Sequence, residues 1–199
     1  SVYLQPFLEH CNSSEALADL FSELIFAEET LNQYEEFWIV WNAFYEKIVE
    51  IAKKSGSYHY TKLIIRKYLL AWPWREGDTE WHSVKEREKF FFSKAANDIG
   101  HYPIVLYSLA KVLNDIGSNY LEEGITWISM IVEKNENLLT EELETNTIYY
   151  LENLMRRYIS KDRLKLRTTQ RVKNQVITIL NFLVERGSTT GYWLRDDIL

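Results

Sequence analysis

Asn97-Asp98-Ile99-Gly100 recurs as Asn114-Asp115-Ile116-Gly117, and each copy closes a stretch whose apolar residues have helical spacing. Glycine stands in both where a helix C-terminus favours a residue free to take positive φ. Two neighbouring helix-length segments that end alike predict stacked helices rather than a closed catalytic fold.

The same pattern extends in both directions. Upstream, Ser83 and Glu86 form a capping box that opens a helix carrying Phe90 to Phe92 and ending at Gly100. Before it, a helix over about Tyr58 to Ala71 stops ahead of Trp72-Pro73, since proline disfavours helix at the preceding residue. A longer one spans Leu31 to Lys54, with Leu31, Tyr34, Phe37, Trp38, Trp41, Phe44, Tyr45, Ile48 and Ile51 on one face. That aromatic stripe reads as core, because its period matches a single buried helix face. Asn12 and Glu15 make a further capping box at the front.

Downstream, Pro103 suits a first helical position, followed by the stripe Val105, Leu109, Val112, Leu113 and Ile116. Leu121, Ile125, Ile128 and Val132 continue it, then Ile148, Leu151, Met155, Tyr158 and Ile159, then Val172, Val176, Ile179, Leu180 and Leu183. Gly187 ends that helix, and Ser188 caps a last short one through Leu194. Taken in pairs, the helices begin near Tyr58, Pro103 and Glu142, about 45 and 39 residues apart, close to the ~40–47 of HEAT and armadillo units. The expected fold is therefore all-α: a right-handed array of paired antiparallel helices, an α-solenoid of about nine helices forming one domain over residues 1–199. An irregular helical bundle is the alternative.

Composition agrees. Apolar residues make up 46 % of the 199, too many for disorder, and Gly 7 with Pro 3 is too few for the tight turns of a sheet protein. Cys11 is alone, which excludes an internal disulfide and a cysteine-based zinc site and fits a reducing, cytoplasmic setting. No apolar run is long enough to span a bilayer, and Ser1 at the front suggests a piece of a larger protein. The net charge of −6 is unevenly spread: residues 1–50 carry ten acids and one base, and residues 151–199 five acids and ten bases.

No phosphate-binding glycine loop, nucleophile elbow, His-Glu-x-x-His or Glu-x-x-His occurs, so no cofactor is expected. His10, His59, His82 and His101 fall near helix ends and read as capping or surface residues. Two patterns share the loop at 72–82. Asp78, Glu80 and His82 alternate, which in an extended segment places three potential metal ligands on one side. Arg75 and His82 have the spacing of the Arg-x(4–6)-His element of small helical ribonucleases, in which arginine stabilises phosphate charge and histidine moves a proton. The competing reading is a solvated loop pinned by Trp72, Trp74 and Trp81.

The denser constellation is basic: Arg156, Arg157, Lys161, Arg163, Lys165, Arg167, Arg171 and Lys173, with Asp162 as the one acid among them. It suits an acidic protein surface or phosphates. Only Tyr158 interleaves, which speaks against base stacking, so nucleic acid is the less favoured partner. A solvated connection facing the chain's own acids is the bland alternative.

Leu106-Tyr-Ser-Leu-Ala-Lys-Val-Leu-Asn-Asp-Ile-Gly117, followed by Leu121-Glu-Glu-Gly-Ile-Thr-Trp-Ile128, resembles the helical-repeat portions of large bacterial ATP-binding proteins. Leu183-Val-Glu-Arg-Gly-Ser-Thr-Thr-Gly-Tyr-Trp-Leu-Arg195 is similar to chain ends of the STAND-type NTPases used in phage defence. The resemblance covers about the second half of the chain and includes none of that family's nucleotide-binding residues. It implies a C-terminal sensor or scaffold region that binds a protein, without enzymatic activity of its own. A helical ribonuclease, metal-dependent or not, using the Arg75/His82 loop is the alternative function.

Overall fold

Helix accounts for nearly all the backbone that the computed structural model describes, namely residues 19–20, 31, 34–55, 86–116, 121–134 and 141–198, and no strand occurs among them. The chain divides into two compact units, residues 1–72 and 73–199.

In the first unit, α1 spans Glu35–Ser55, with Glu35 and Glu36 in the first turn complementing the helix dipole. Phe37, Trp38, Trp41, Phe44 and Tyr45 are buried, and the Phe37, Trp38 and Trp41 rings lie 5.3–5.9 Å apart. Val49 extends the buried stripe. Leu31 and Tyr34, placed on the same face by spacing, are exposed instead and lie before the first turn of α1.

The second unit contains α2 (Glu86–Ile99), α3 (Pro103–Ile116), α4 (Leu121–Lys134), α5 (Glu141–Lys161), α6 (Arg163–Thr168), α7 (Gln170–Glu185) and α8 (Thr189–Ile198). Pro103 is the first residue of α3, and the adjoining Tyr102 carbonyl accepts the Val105 N–H at 2.9 Å. Ile104, Val105, Leu106, Leu109, Ala110, Val112 and Leu113 are all buried, so α3 is apolar around most of its girth. A helix of that kind must be surrounded, and α2, α4 and α5 all pack on it.

Packing alternates along the chain. α2 packs on α4 and α4 on α7; α3 packs on α5 and α5 on α8. Cross-links fix the direction within the second series. Tyr107 meets Tyr150 at 6.0 Å between ring centres, and Asn114 meets Arg157 seven residues later on each helix, both pairs 43 residues apart. Helices α3 and α5 therefore run parallel and in register.

Helix ends follow from named residues. Gly187 has φ 79°, and its N–H donates to Val184 O at 2.9 Å while Ser188 N–H donates to Leu183 O at 3.0 Å. These bonds satisfy the last carbonyls of α7 in a Schellman stop. Ser188 then caps α8: its Oγ accepts the Gly191 N–H at 2.8 Å. Helix α2 does end at Ile99, but Gly100 does not take the positive φ expected of it. Crowding is the reason for glycine there, since a Cβ would fall 2.2 Å from Ala96 O. Gly117, Asn12, Ser83 and the expected helix over 58–71 lie outside the described residues.

A second close approach holds the middle of the unit. At Gly124, inside α4, a Cβ would meet Tyr158 Oη at 2.9 Å and both methyls of Leu113 at 3.1 Å. The Tyr158 side chain is fully buried, and its hydroxyl has no hydrogen-bond partner among the described residues. Burial holds its phenol well above the usual range, so it stays protonated. Removing that orphan hydroxyl by Tyr158→Phe should raise unfolding free energy by about 1 kcal/mol. Gly124→Ala should lower it by about 1–2 kcal/mol in spite of alanine's better helix propensity. In urea titrations the double variant should regain part of that loss; a stabilised Gly124→Ala would show that the junction has slack.

Candidate functional site

The eight bases of the cluster fall on the end of α5, on α6 and on the start of α7. Six-residue α6 is a short helix inside what spacing alone read as a connection. Leu166 is its buried contact, while Leu164 is 76 % exposed.

Among the described residues, neighbouring helices engage Arg156, Arg157, Arg163 and Lys165. Arg157 Nη2 donates to Asn114 O at 2.5 Å and to the Asn114 side-chain oxygen, placing a cation at the C-terminal end of α3. Arg156 Nη2 donates to Thr190 Oγ1 at 2.7 Å, and Arg163 Nη2 pairs with Asp197 Oδ2 at 2.7 Å. With Ser188 Oγ donating to Glu152 Oε1 at 2.5 Å, these make three polar rungs, two from α5 and one from α6, to α8 and its cap. On α5 the partners rise together, Glu152 and Arg156 against Ser188 and Thr190, so α5 and α8 also run parallel.

Lys165 pairs with Glu122, in the first turn of α4. The hydrogen bond from Lys165 holds the Glu122 carboxyl below its ordinary 4.5, and Glu122 in turn raises Lys165 above 10.5. Arg171 lies close enough to add a smaller pull on Glu122. Arg167 and Arg171 are exposed, Lys161 is exposed, and Lys173 is half-buried.

Arg163, Arg167 and Lys173 line a small open hollow. Its floor is aliphatic, built from Ile159, Leu166 and Ile198, and Asp197 stands at its edge. The structure thus separates the cluster: Arg156, Arg157 and Lys165 tie helices together, Arg163 both ties and lines, and Arg167 with Lys173 face the hollow.

Arg75, Asp78, Glu80 and His82 lie outside the described residues, as do His10 and His59. His101 is exposed beside Tyr102, 4.0 Å between ring centres. No group of three or more metal-ligating side chains occurs among the described residues, and none of their helices is long and apolar enough to cross a membrane. Asn114 and Asp197, which hold two of the cluster's arginines, are neighbours that spacing did not reveal. No protein-family model matches this chain, and no curated protein does.

Two outcomes follow from these pairings. Arg157→Gln, which strands a helix-end carbonyl, should cost about 1–3 kcal/mol in chemical denaturation, against at most about 1 kcal/mol for the exposed Arg163→Gln. The Glu122–Lys165 link should be at full strength between the ordinary values of its two groups. It is lost as pH falls through the depressed value of Glu122, or rises through the elevated value of Lys165. An NMR titration of Lys165→Gln should return Glu122 to the ordinary carboxylate range.

Proposed function

We propose that this chain is a non-enzymatic scaffold or sensor domain that binds a protein partner through a right-handed array of paired helices, and that it belongs to the C-terminal region of a larger bacterial protein acting in the cytoplasm. The alternating packing of α2–α4–α7 and α3–α5–α8 supports this most directly. In stacked helical repeats, every second helix is parallel to its predecessor and displaced by one repeat. The 43-residue displacement between α3 and α5 has that character. It also matches the ~40–47 residues of HEAT-like units.

The surface adds a second support. Tyr149, Leu164, Tyr192 and Trp193 are large and exposed, and Arg156 stands exposed between α5 and α8. Tyrosine, tryptophan and arginine are the side chains that dominate protein interfaces, since they combine large contact area with a polar handle. The likeness of residues 106–128 and 183–195 to STAND-type helical-repeat regions points the same way.

Affinity capture followed by rebinding tests the reading. The immobilised full chain should retain a protein from host extract that, once purified, rebinds with Kd below about 10 µM and weakens with salt. Failure of every retained protein to rebind, or cleavage of RNA by the purified chain with or without divalent metals, would overturn it.

A further inference from the structure

The hollow beside α6 combines two chemistries that the rest of the cluster does not. Ile159 and Leu166 are 2 % and 4 % exposed, so its floor is the edge of the core. Around it stand three cations, Arg163, Arg167 and Lys173, and one carboxylate, Asp197. Asp197 occupies Arg163 at 2.7 Å. Neither Arg167 nor Lys173 has a side-chain hydrogen bond or ion pair among the described residues, which leaves two cations without a counter-charge on one rim.

The geometry points to a docking site for an acidic segment of a protein partner, with a carboxylate held by Arg167 and Lys173 and an adjoining aliphatic side chain on the Ile159–Leu166–Ile198 floor. Asp197 demonstrates the chemistry within the chain itself: a carboxylate at this rim is bound by an arginine at charge-assisted distance. The uncompensated pair sets the charge of the occupant, and the floor sets its second feature. A polyphosphate backbone would gain nothing from aliphatic side chains, would face Asp197, and would find no aromatic ring lining the hollow on which to stack a base. This assignment rests on the protein-binding reading above and names the part of the partner that is recognised.

Arg163 has a further consequence. An incoming carboxylate competes with Asp197 for its guanidinium, so Asp197 acts as an internal rival that keeps affinity down. Its removal should therefore strengthen binding, whereas removal of a cation weakens it.

Fluorescence anisotropy on the full chain tests this with three labelled probes: a peptide of alternating glutamate and leucine, one of alternating lysine and leucine, and oligouridylate. The glutamate–leucine peptide should bind and the lysine–leucine peptide should not. Arg167→Gln and Lys173→Gln should each weaken the first peptide by about two- to fivefold. Asp197→Asn should tighten it. Circular dichroism melts identify any variant that loosens α8; if Asp197→Asn does so, the Arg167→Gln/Lys173→Gln pair decides alone, since neither side chain holds another helix.

Unchanged peptide affinity in that double variant overturns the site, as does oligouridylate binding more tightly than the peptide with the same sensitivity. A purified partner protein that binds the double variant undiminished removes the hollow and leaves the scaffold reading intact. Peptide binding without any protein ligand does the reverse.

Discussion

The second unit is organised around the place where α3 and α5 side chains meet α4 at a residue that has no side chain of its own. Gly124 lets the α4 backbone lie against the Leu113 methyls and the Tyr158 hydroxyl at distances that any Cβ would violate. Interiors are packed to crystal-like density, so a contact this close fixes its neighbours as well. With α4 set against both members of the parallel pair, α7 can pack on α4 and α8 on α5. The α5 surface that holds α8 and α6 is thereby presented at a fixed height. The hollow's floor begins at Ile159, the residue after Tyr158 of that junction.

Much of this arrangement was legible from spacing. The stripes in α3, α5 and α7 predicted buried faces, and Val105, Leu109, Leu151, Met155, Val172, Val176 and Leu183 are indeed buried. Pro103, Gly187 and Ser188 mark helix boundaries because each acts through its own local chemistry: a missing N–H, a permitted φ, a short acceptor side chain. Tyr34 keeps the period of the stripe but lies outside α1, and periodicity carries on past a helix end while burial does not. Short α6 escaped because six residues with Leu164 and Leu166 two apart have no helical period to detect.

The candidate site was legible as a density of charge and no further. Its sorting depends on partners far away in sequence: Asn114 is 43 residues from Arg157, and Thr190 and Asp197 are 34 from Arg156 and Arg163. Only the parallel packing of helices brings those side chains into reach. Gly100 makes the same point for the repeated tetrapeptide. The residue type was informative, but crowding against Ala96 rather than backbone handedness is what requires it.

Helix α8 is attached on two sides by different kinds of contact. Toward α7 the backbones come so close that a Cβ at Gly191 would fall 2.7 Å from Leu183 Cβ, and Arg195 reaches Asn181 at 3.1 Å. Toward α5 and α6 the rungs are polar: Arg156 to Thr190 and Arg163 to Asp197 are exposed, each replaceable by water at a cost of about 1 kcal/mol or less, while Ser188 to Glu152 is part-buried. Under a mechanical load the two seams would respond unequally. Helix α7 is anchored on α4 and α5 by its own packing, so the exposed polar rungs of α8 would part before the close α7–α8 seam does.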